Sequence, residues 1–247
     1  MLIEVCANSL QSAINAQAGG AKRVELCDNL YEGGTTPSPA TIKLARQKLH
    51  IKLNVLIRPR GGDFLYSDLE FEIIKQDIEF CKETGCDGVV IGFLNSDGTI
   101  DIEKTAEAIK LARPMNLTFH RAFDMVRDPF EALEQLMELG VDRLLTAGQK
   151  NKVPEGKGLI AELVKKAGDK LIIMPGSGIN EKNIAMMHRV TGAVEFHLTG
   201  QKKVDSKMKY RKEGIFLGGL SQIPEYLIAE TDTDRIRRTS NILNEIS

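Results

Sequence analysis

The chain has no excess of charge of either sign, because 33 lysines and arginines nearly balance 34 aspartates and glutamates and leave a formal net charge of −1. A protein without a basic excess has no general attraction for nucleic acid or anionic lipid. The sequence also lacks an apolar run of the ~18–20 residues that a membrane-spanning helix needs. We therefore expect neither a nucleic-acid partner nor a membrane partner.

Cysteine is scarce, with four residues in a chain of 247. So few cysteines in so long a chain do not make a disulfide framework. Residues 1–5 run directly into a strand-like segment, without the basic and apolar stretches of a secretion signal. We therefore expect a cytoplasmic protein whose cysteines stay reduced.

Eight short apolar runs rich in β-forming residues alternate with longer segments of helical periodicity. The runs begin at Leu2, Arg23, Lys52, Asp87, Leu117, Arg143, Leu171 and Ala193. Helical periodicity covers residues 9–18, 68–84, 102–112, 129–139, 159–167 and 181–190, and most of these segments end near a glycine, the usual helix stop. Strict alternation without a linker predicts a single α/β domain over residues 1–247, a (β/α)8 TIM barrel.

The segment after the eighth strand breaks this pattern. About residues 202–230 show no clear repeat, and they are too long for an ordinary connection. We predict an irregular insertion there that packs on the barrel or mediates assembly. A C-terminal helix is predicted over about residues 232–246, after a run of residues that favour helix N-caps.

Alternation within the strands predicts which side chains fill the lumen of the barrel. The helix-facing side of each strand must be apolar, so the other set of side chains points inward. That set is Glu4, Cys6, Glu25, Cys27, Asn54, Leu56, Arg58, Thr118, His120, Glu195 and His197. One interpretation is a charge network that satisfies itself in the core. The other is a functional site at the C-terminal ends of the strands, where the active sites of this fold lie.

Cys6 and Cys27 end two neighbouring strands and both point inward, so their sulfur atoms are expected to come close together. Two thiolates suit a soft ion such as Cu(I), and the alternative is a pair of small buried apolar side chains. Cys81 and Cys86 fall at the opposite end of the predicted barrel, and we expect them to be structural.

Glycine-rich loops and basic side chains indicate a second kind of site at the same end of the barrel. The loop after the seventh strand is often a phosphate site in this fold, although a plain tight turn is the alternative. The candidate anion-binding residues are Arg58, Arg60, Arg121, His197, Gly176, Ser177 and Gly178. His120 or Glu25 would serve as general acid or base. The alternative function is therefore an enzyme that acts on a small phosphorylated or carboxylated metabolite.

Six stretches of the sequence match a known family. They read EVC (4–6), ELCDNLYEGGTTPS (25–38), IRPRGGDF (57–64), YS (66–67), TFHRAFD (118–124) and EFH (195–197). In these stretches the chain resembles the CutC copper-homeostasis family, over about residues 1–200. The resemblance implies a TIM barrel, a cytoplasmic location and a homo-oligomer, dimer or tetramer. It also implies Cu(I) binding by Cys6 and Cys27, and it implies no particular catalytic reaction.

Two loops depart from the family pattern. Residues 146–149 read TAGQ where the family tends toward TSGG, and residues 175–178 read PGSG where the family often has PGGG. Ligand contacts of the family therefore do not transfer directly to these two loops.

Overall fold

The computed structural model describes residues 1–217 and 223–246. Within these residues, eight strands form one parallel sheet. They are β1 (Leu2–Ala7), β2 (Arg23–Leu26), β3 (Lys52–Leu56), β4 (Gly88–Ile91), β5 (Asn116–Phe119), β6 (Arg143–Thr146), β7 (Ile172–Pro175) and β8 (Glu195–Leu198). The helices are α1 (Leu10–Ala18), α2 (Pro39–Lys48), α3 (Asp68–Glu83), α4 (Ile102–Ala112), α5 (Pro129–Glu138), α6 (Val153–Ala167), α7 (Ile184–Thr191) and α8 (Thr233–Glu245).

Neighbouring strands in the sheet are also neighbours in the sequence, and β1 pairs with both β2 and β8. A parallel bridge between Gly176 and His197 joins the ends of β7 and β8, so the ring of strands is nearly closed. The predicted (β/α)8 TIM barrel is confirmed. Across the described residues, no helix combines the length and the apolar character that crossing a bilayer requires.

The strands begin within two residues of their predicted positions, but two helices differ from the prediction. α2 was not predicted, because its sequence is largely polar and only Ile42 and Ala45 of its ten residues are buried. α6 begins at Val153, six residues before the predicted start. Pro154, Gly156 and Gly158 give this first part of α6 the composition of a loop, although proline is well tolerated in the first turn of a helix.

The segment after β8 also differs from the prediction. Its two ends pair as an antiparallel hairpin, β9 (Gln201–Asp205) with β10 (Leu227–Thr231), so an irregular insertion over 202–230 is wrong for these ends. Part of the prediction, residues 218–222, lies outside the described residues. Helix α8 follows the hairpin directly and starts one residue after its predicted beginning.

The inward side chains predicted by alternation are buried in the lumen. Most apolar core residues lie between the strands and the helices, in one large cluster. A second, small cluster inside the ring contains Cys6, Cys27, Leu56 and Val90. The rest of the lumen is polar, both beside this cluster and below it, towards the N-terminal ends of the strands. This is unusual, because branched apolar side chains ordinarily fill the lumen of this fold.

Helix α6 packs unusually close to the loop after β6. A Cβ atom added at Gly156 would overlap the carbonyl oxygen of Ala147, and one added at Gly148 would overlap the carbonyl of Gly156. Gly158, two residues further along the same helix, is exposed and has no atom near its missing Cβ. Glycine at 156 therefore sets how closely the start of α6 approaches the C-terminal end of the barrel.

The two glycines of α6 provide a matched test of this packing. Gly156→Ala is expected to destabilise the protein by about 1–3 kcal/mol, because the added methyl group forces the helix away from the loop. Gly158→Ala is expected to stabilise it by about 0.5–1 kcal/mol, because alanine favours the helix and nothing obstructs it. Urea unfolding followed by circular dichroism measures both. Equal effects of the two substitutions would contradict the close approach.

Candidate functional site

Ion pairs occupy the lower part of the lumen, at the N-terminal ends of the strands. The guanidinium of Arg23 donates to Glu4 Oε2 at 2.5 Å and to Glu195 Oε2 at 2.5 Å, and Arg143 Nε donates to Glu195 Oε2 at 2.7 Å. Burial raises the pKa of Glu4, but Arg23 and His197 outweigh it and hold that pKa at about 2. For this layer the interpretation of a self-satisfied charge network is correct, because each carboxylate has a cationic partner.

His197 connects this layer to the upper lumen. Its Nδ1 lies 2.8 Å from Glu4 Oε1 and 4.0 Å from Glu25 Oε2. Burial lowers the pKa of His197, but Glu25, Cys6 and Glu4 together raise it well above its ordinary value. The ring is therefore an imidazolium that donates to Glu4 and faces the second carboxyl group.

The two thiols meet as predicted, at the ends of β1 and β2. Cys6 Sγ lies 3.5 Å from Cys27 Sγ, and both residues are buried. The hydrogen bond with Cys27 and burial raise the pKa of Cys6 well above its ordinary value. Among the described residues, the ligand atoms of Cys6, Glu25 and His197 lie within 4.8 Å of one another, close enough to hold one metal ion.

Glu25 is buried with one carboxylate oxygen unpaired. Its Oε1 accepts a hydrogen bond from Cys6 Sγ at 3.6 Å, whereas Oε2 is buried and has no hydrogen-bond partner within the described residues. Burial raises the pKa of Glu25 to about 7, and the attraction of His197 offsets only part of this effect. Glu25 therefore holds a proton to a much higher pH than an ordinary carboxyl group does.

His120 directly follows β5 on the other side of the lumen, and one of its ring nitrogens has no partner within the described residues. Its Nδ1 accepts the N–H of Ala122 at 3.1 Å, so the proton of the neutral ring is on Nε2. That Nε2 is buried and has no partner within the described residues. Burial and then Arg58 lower the pKa of His120 to about 3, so the ring is a neutral hydrogen-bond donor at physiological pH.

Arg58 organises the loops around the mouth of the lumen. Its guanidinium donates to the carbonyl oxygens of Glu32, Gly34 and Gly62 at 2.8, 2.7 and 2.7 Å. It also stacks over the ring of Phe64, 5.1 Å from the centroid. The side chain is buried as predicted. Because Nη1 and Nη2 donate to backbone carbonyls, it mainly ties the loops after β2 and β3 together.

The other two predicted arginines are also paired. Arg60 Nε donates to Glu70 Oε1 at 2.5 Å and Arg60 Nη2 to Asp63 Oδ1 at 3.1 Å, outside the cavity described below. Arg121 Nε donates to Asp124 Oδ2 at 2.7 Å at the cavity wall. Neighbouring carboxylates therefore neutralise both guanidiniums, which sequence spacing alone did not indicate.

The glycine-rich loop after β7 has two roles. Gly176 helps close the barrel, since it forms the parallel bridge with His197 at the end of β8, and it does not line the cavity. Ser177 and Gly178 do line it. Ser177 has a φ of +82°, which favours glycine, and its hydroxyl donates to the carbonyl of Asn151 at 2.7 Å. This hydrogen bond accommodates serine at the position where the family often has glycine.

Asp124 anchors the other loop that departs from the family pattern. Its carboxylate accepts the hydroxyl of Thr146 at 2.5 Å and the N–H groups of Ala147 and Gln149, each at 3.0 Å. The same carboxylate pairs with Arg121. Asp124 therefore fixes the loop after β6 through its backbone.

One cavity of about 710 Å³ connects these groups at the C-terminal end of the barrel. Its lining includes eight predicted residues: Cys6, Glu25, Arg58, His120, Arg121, Ser177, Gly178 and His197. Cys27 lies behind Cys6, and Arg60 and Gly176 lie elsewhere. Sequence reasoning missed Lys152 because the start of α6 was misplaced, and it missed Arg235 because only the tertiary fold brings α8 to this cavity.

A profile of the CutC family matches residues 1–202. The chain belongs to the CutC family. A "family protein CutC" from Chromobacterium violaceum is 48% identical over 244 residues, which cover 99% of this chain and 98% of that protein. A mouse protein named "Copper homeostasis protein cutC homolog" is 45% identical over 99% of this chain and 90% of its own length. The resemblance seen in the sequence is confirmed.

Solved structures agree with the barrel fold. The putative copper homeostasis protein CutC of Streptococcus agalactiae superposes with a TM-score of 0.77 at 38% identity, over 81% of this chain and 98% of that chain. Thiamine phosphate pyrophosphorylase of Pyrococcus furiosus superposes with a TM-score of 0.61 at 13% identity, over 99% of this chain and 96% of that chain. The second likeness concerns the fold alone.

The buried carboxyl of Glu25 predicts a distinctive dependence of stability on pH. Its pKa rises from 4.5 to about 7 on folding, so its contribution to stability is fully present below pH 4.5 and is lost as the pH rises towards 7. Glutamine does not ionise, so Glu25→Gln should not lose stability as the pH rises through this range. We expect the variant to be more stable than wild type by on the order of 1–3 kcal/mol at pH 8 and to gain little at pH 4.

Chemical unfolding at a series of pH values measures this difference. Glu4→Gln is the matched control, because Glu4 has a lowered pKa and is paired with Arg23. Loss of the Glu4 carboxylate is expected to destabilise the protein by about 3–5 kcal/mol at neutral pH, since Arg23 and His197 lose the buried anion that they share. A Glu25→Gln variant with the same pH profile as wild type would contradict the raised pKa of the buried Glu25 carboxyl.

Proposed function

We propose that this CutC-family protein binds Cu(I) through the thiolates of Cys6 and Cys27. The observation that carries the proposal is the 3.5 Å separation of the two buried sulfur atoms on neighbouring strands. Thiolates are soft ligands that suit Cu(I) well. The pair sits at the end of the barrel where this fold has its functional sites, and Cys6 lines the cavity through which an ion would arrive.

The surroundings of the thiols support the same proposal. A Cu(I) ion with two thiolates carries a net negative charge, and the imidazolium of His197 lies beside Cys6 to offset it. Binding also requires the thiols to release their protons. Glu25 Oε1, which accepts the hydrogen bond of Cys6 at 3.6 Å, is the nearest place for one of these protons.

Copper homeostasis is the role printed in the names of the mouse and human relatives, each called "Copper homeostasis protein cutC homolog". Cu(I)–thiolate binding requires reduced cysteines, and all four cysteines of this chain are free thiols. We therefore place the proposed function in the reducing environment of the cytoplasm.

The two pairs of cysteines provide a matched test. Cys6→Ser with Cys27→Ser is expected to lower Cu(I) affinity by more than about a hundredfold. Loss of a residue that only hydrogen-bonds a metal ligand typically costs about 10–100-fold, and loss of the ligands themselves should cost more. Cys81→Ser with Cys86→Ser should leave the affinity unchanged, since these residues are packed in the core between α3 and β4, away from the cavity. Titration against a competing Cu(I) chelator measures both. Equal affinity of the first variant and wild type would refute the ligand assignment.

We also propose that a second copy of the chain docks on the β9–β10 hairpin. Apolar side chains are exposed on the segment that joins its two strands, including Tyr210 at 72%, Phe216 at 45% and Leu217 at 86%. Clusters of exposed apolar side chains mark interaction surfaces, and a two-stranded sheet is marginal by itself. A homo-oligomer that buries this surface would cover the exposed apolar side chains and pack against the two-stranded sheet.

Substitutions on the hairpin test this assembly. Phe216→Ser with Leu217→Ser is expected to shift the protein to monomer, as measured by size-exclusion chromatography with light scattering. Leu69→Ser is the control, because Leu69 is equally exposed, at 75%, but lies on α3. A monomeric wild type, or an unchanged mass of the double variant, would overturn the proposed interface.

A further inference from the structure

The cavity is much larger than an ion at its floor requires. It has a volume of about 710 Å³, within the ~300–1,000 Å³ typical of small-molecule sites. The thiol cluster takes up one end, at the strands β1 and β2. Polar groups from β5 and from the loops after β6, β7 and β8 line the remainder.

The arginines of the lining already donate to protein groups, and Nε of Arg58 alone among their named donors is buried without a partner in the described residues. Arg58 and Arg121 are held as described above, and Arg235 pairs with Glu181 at 3.2 Å and donates to the carbonyl of Gln201 at 2.8 Å. Lys152 is different. Among the described residues, its Nζ makes neither an ion pair nor a hydrogen bond, so it is a cation of the lining with its charge available.

The backbone holds Lys152 close to the loop after β7. The stem of Lys152 runs along Gly178, where an added Cβ would lie 3.1 Å from its Cδ. The N–H of Val153 donates to the carbonyl of Ser177 at 3.0 Å, which ties the start of α6 to this loop. The N–H groups of Gly178 and Ile179 make no hydrogen bond within the described part of the chain. The side chain of Lys152 and two backbone N–H groups without a hydrogen bond therefore lie together at one corner of the cavity lining.

A second, independent observation points to a ligand. His120 lines the same cavity, and its Nε2–H is buried and has no partner within the described residues. His120 as a whole is only 5% exposed. Leaving a buried donor unpaired costs about 1–3 kcal/mol, and a bound oxygen atom would recover that cost.

We propose that the cavity binds a small phosphorylated metabolite, independently of Cu(I). Its phosphoryl group lies against Lys152 and the N–H groups of Gly178 and Ile179. A hydroxyl or carbonyl oxygen elsewhere in the molecule accepts the hydrogen bond of His120 Nε2. A phosphoryl group suits this corner because it offers several acceptor oxygens to donors that converge from a lysine and a glycine-rich loop.

Glycerol 3-phosphate is the test ligand. Inorganic phosphate and glycerol, which represent its two halves, are tested separately. Isothermal titration of the full chain should show saturable binding of glycerol 3-phosphate, weaker binding of phosphate and none of glycerol. Lys152→Met is expected to weaken binding of both phosphates by about tenfold or more, the typical effect of losing one charge-assisted hydrogen bond. Lys150→Met removes an equal charge two residues away, outside the lining, and should have no effect.

Variants of His120 test the other end of the ligand. His120→Phe should reduce the affinity for glycerol 3-phosphate to that for phosphate, whereas His120→Gln, which keeps a donor, should retain most of it. Absence of saturable phosphate binding would overturn the proposal. So would equal losses in Lys152→Met and Lys150→Met, or glycerate binding as tightly as glycerol 3-phosphate.

The copper proposal and this inference can fail separately. Cys6→Ser with Cys27→Ser should leave the affinity for glycerol 3-phosphate unchanged, and Lys152→Met should leave the affinity for Cu(I) unchanged. If the cysteine variant loses both ligands, the two sites are one, and the independent phosphate site is refuted.

Discussion

The buried pairing of Arg23 with Glu4 and Glu195 is the interaction on which the rest of the lumen depends. These carboxylates come from the first and last strands of the ring, so the one guanidinium joins the strands whose pairing closes the barrel. Glu4 also accepts from His197, which places an imidazolium directly beneath the thiols. Removing Arg23 would take away the cation that these two buried carboxylates share, so the loss of this one side chain is expected to destabilise the ring strongly.

The upper lumen has the opposite character, since several of its polar groups are unsatisfied within the described residues. Glu25 Oε2 and His120 Nε2 are both buried without a hydrogen-bond partner, although groups of this kind are normally paired. The contrast between a satisfied floor and an unsatisfied cavity indicates where a ligand contributes binding energy. The cavity itself has two ends. One holds the thiol of Cys6, and the other offers hydrogen-bond donors and the positive charge of Lys152.

Much of the barrel and of its inward-facing residues could be predicted, because the alternation of side chains along a strand is a local property. Cys6, Glu25 and His197 were assigned to the lumen from their apolar neighbours alone. Helix α2 and the beginning of α6 were missed because local composition misrepresents them. Helix α2 has few apolar residues, and α6 opens with proline and two glycines, one of which is there because Ala147 packs against it.

The sequence by itself determined the (β/α)8 architecture, the meeting of the two thiols and the polarity of the lumen, since each follows from periodicity and strand order. Only the tertiary structure decided which charges remain available. Arg58, Arg60 and Arg121 are indistinguishable from free cations in the sequence. In the structure Arg58 donates to backbone carbonyls and the other two pair with carboxylates, whereas Lys152 has neither kind of partner among the described residues. The reason is that hydrogen-bond partners of long side chains come from segments distant in the chain, and no local pattern records them.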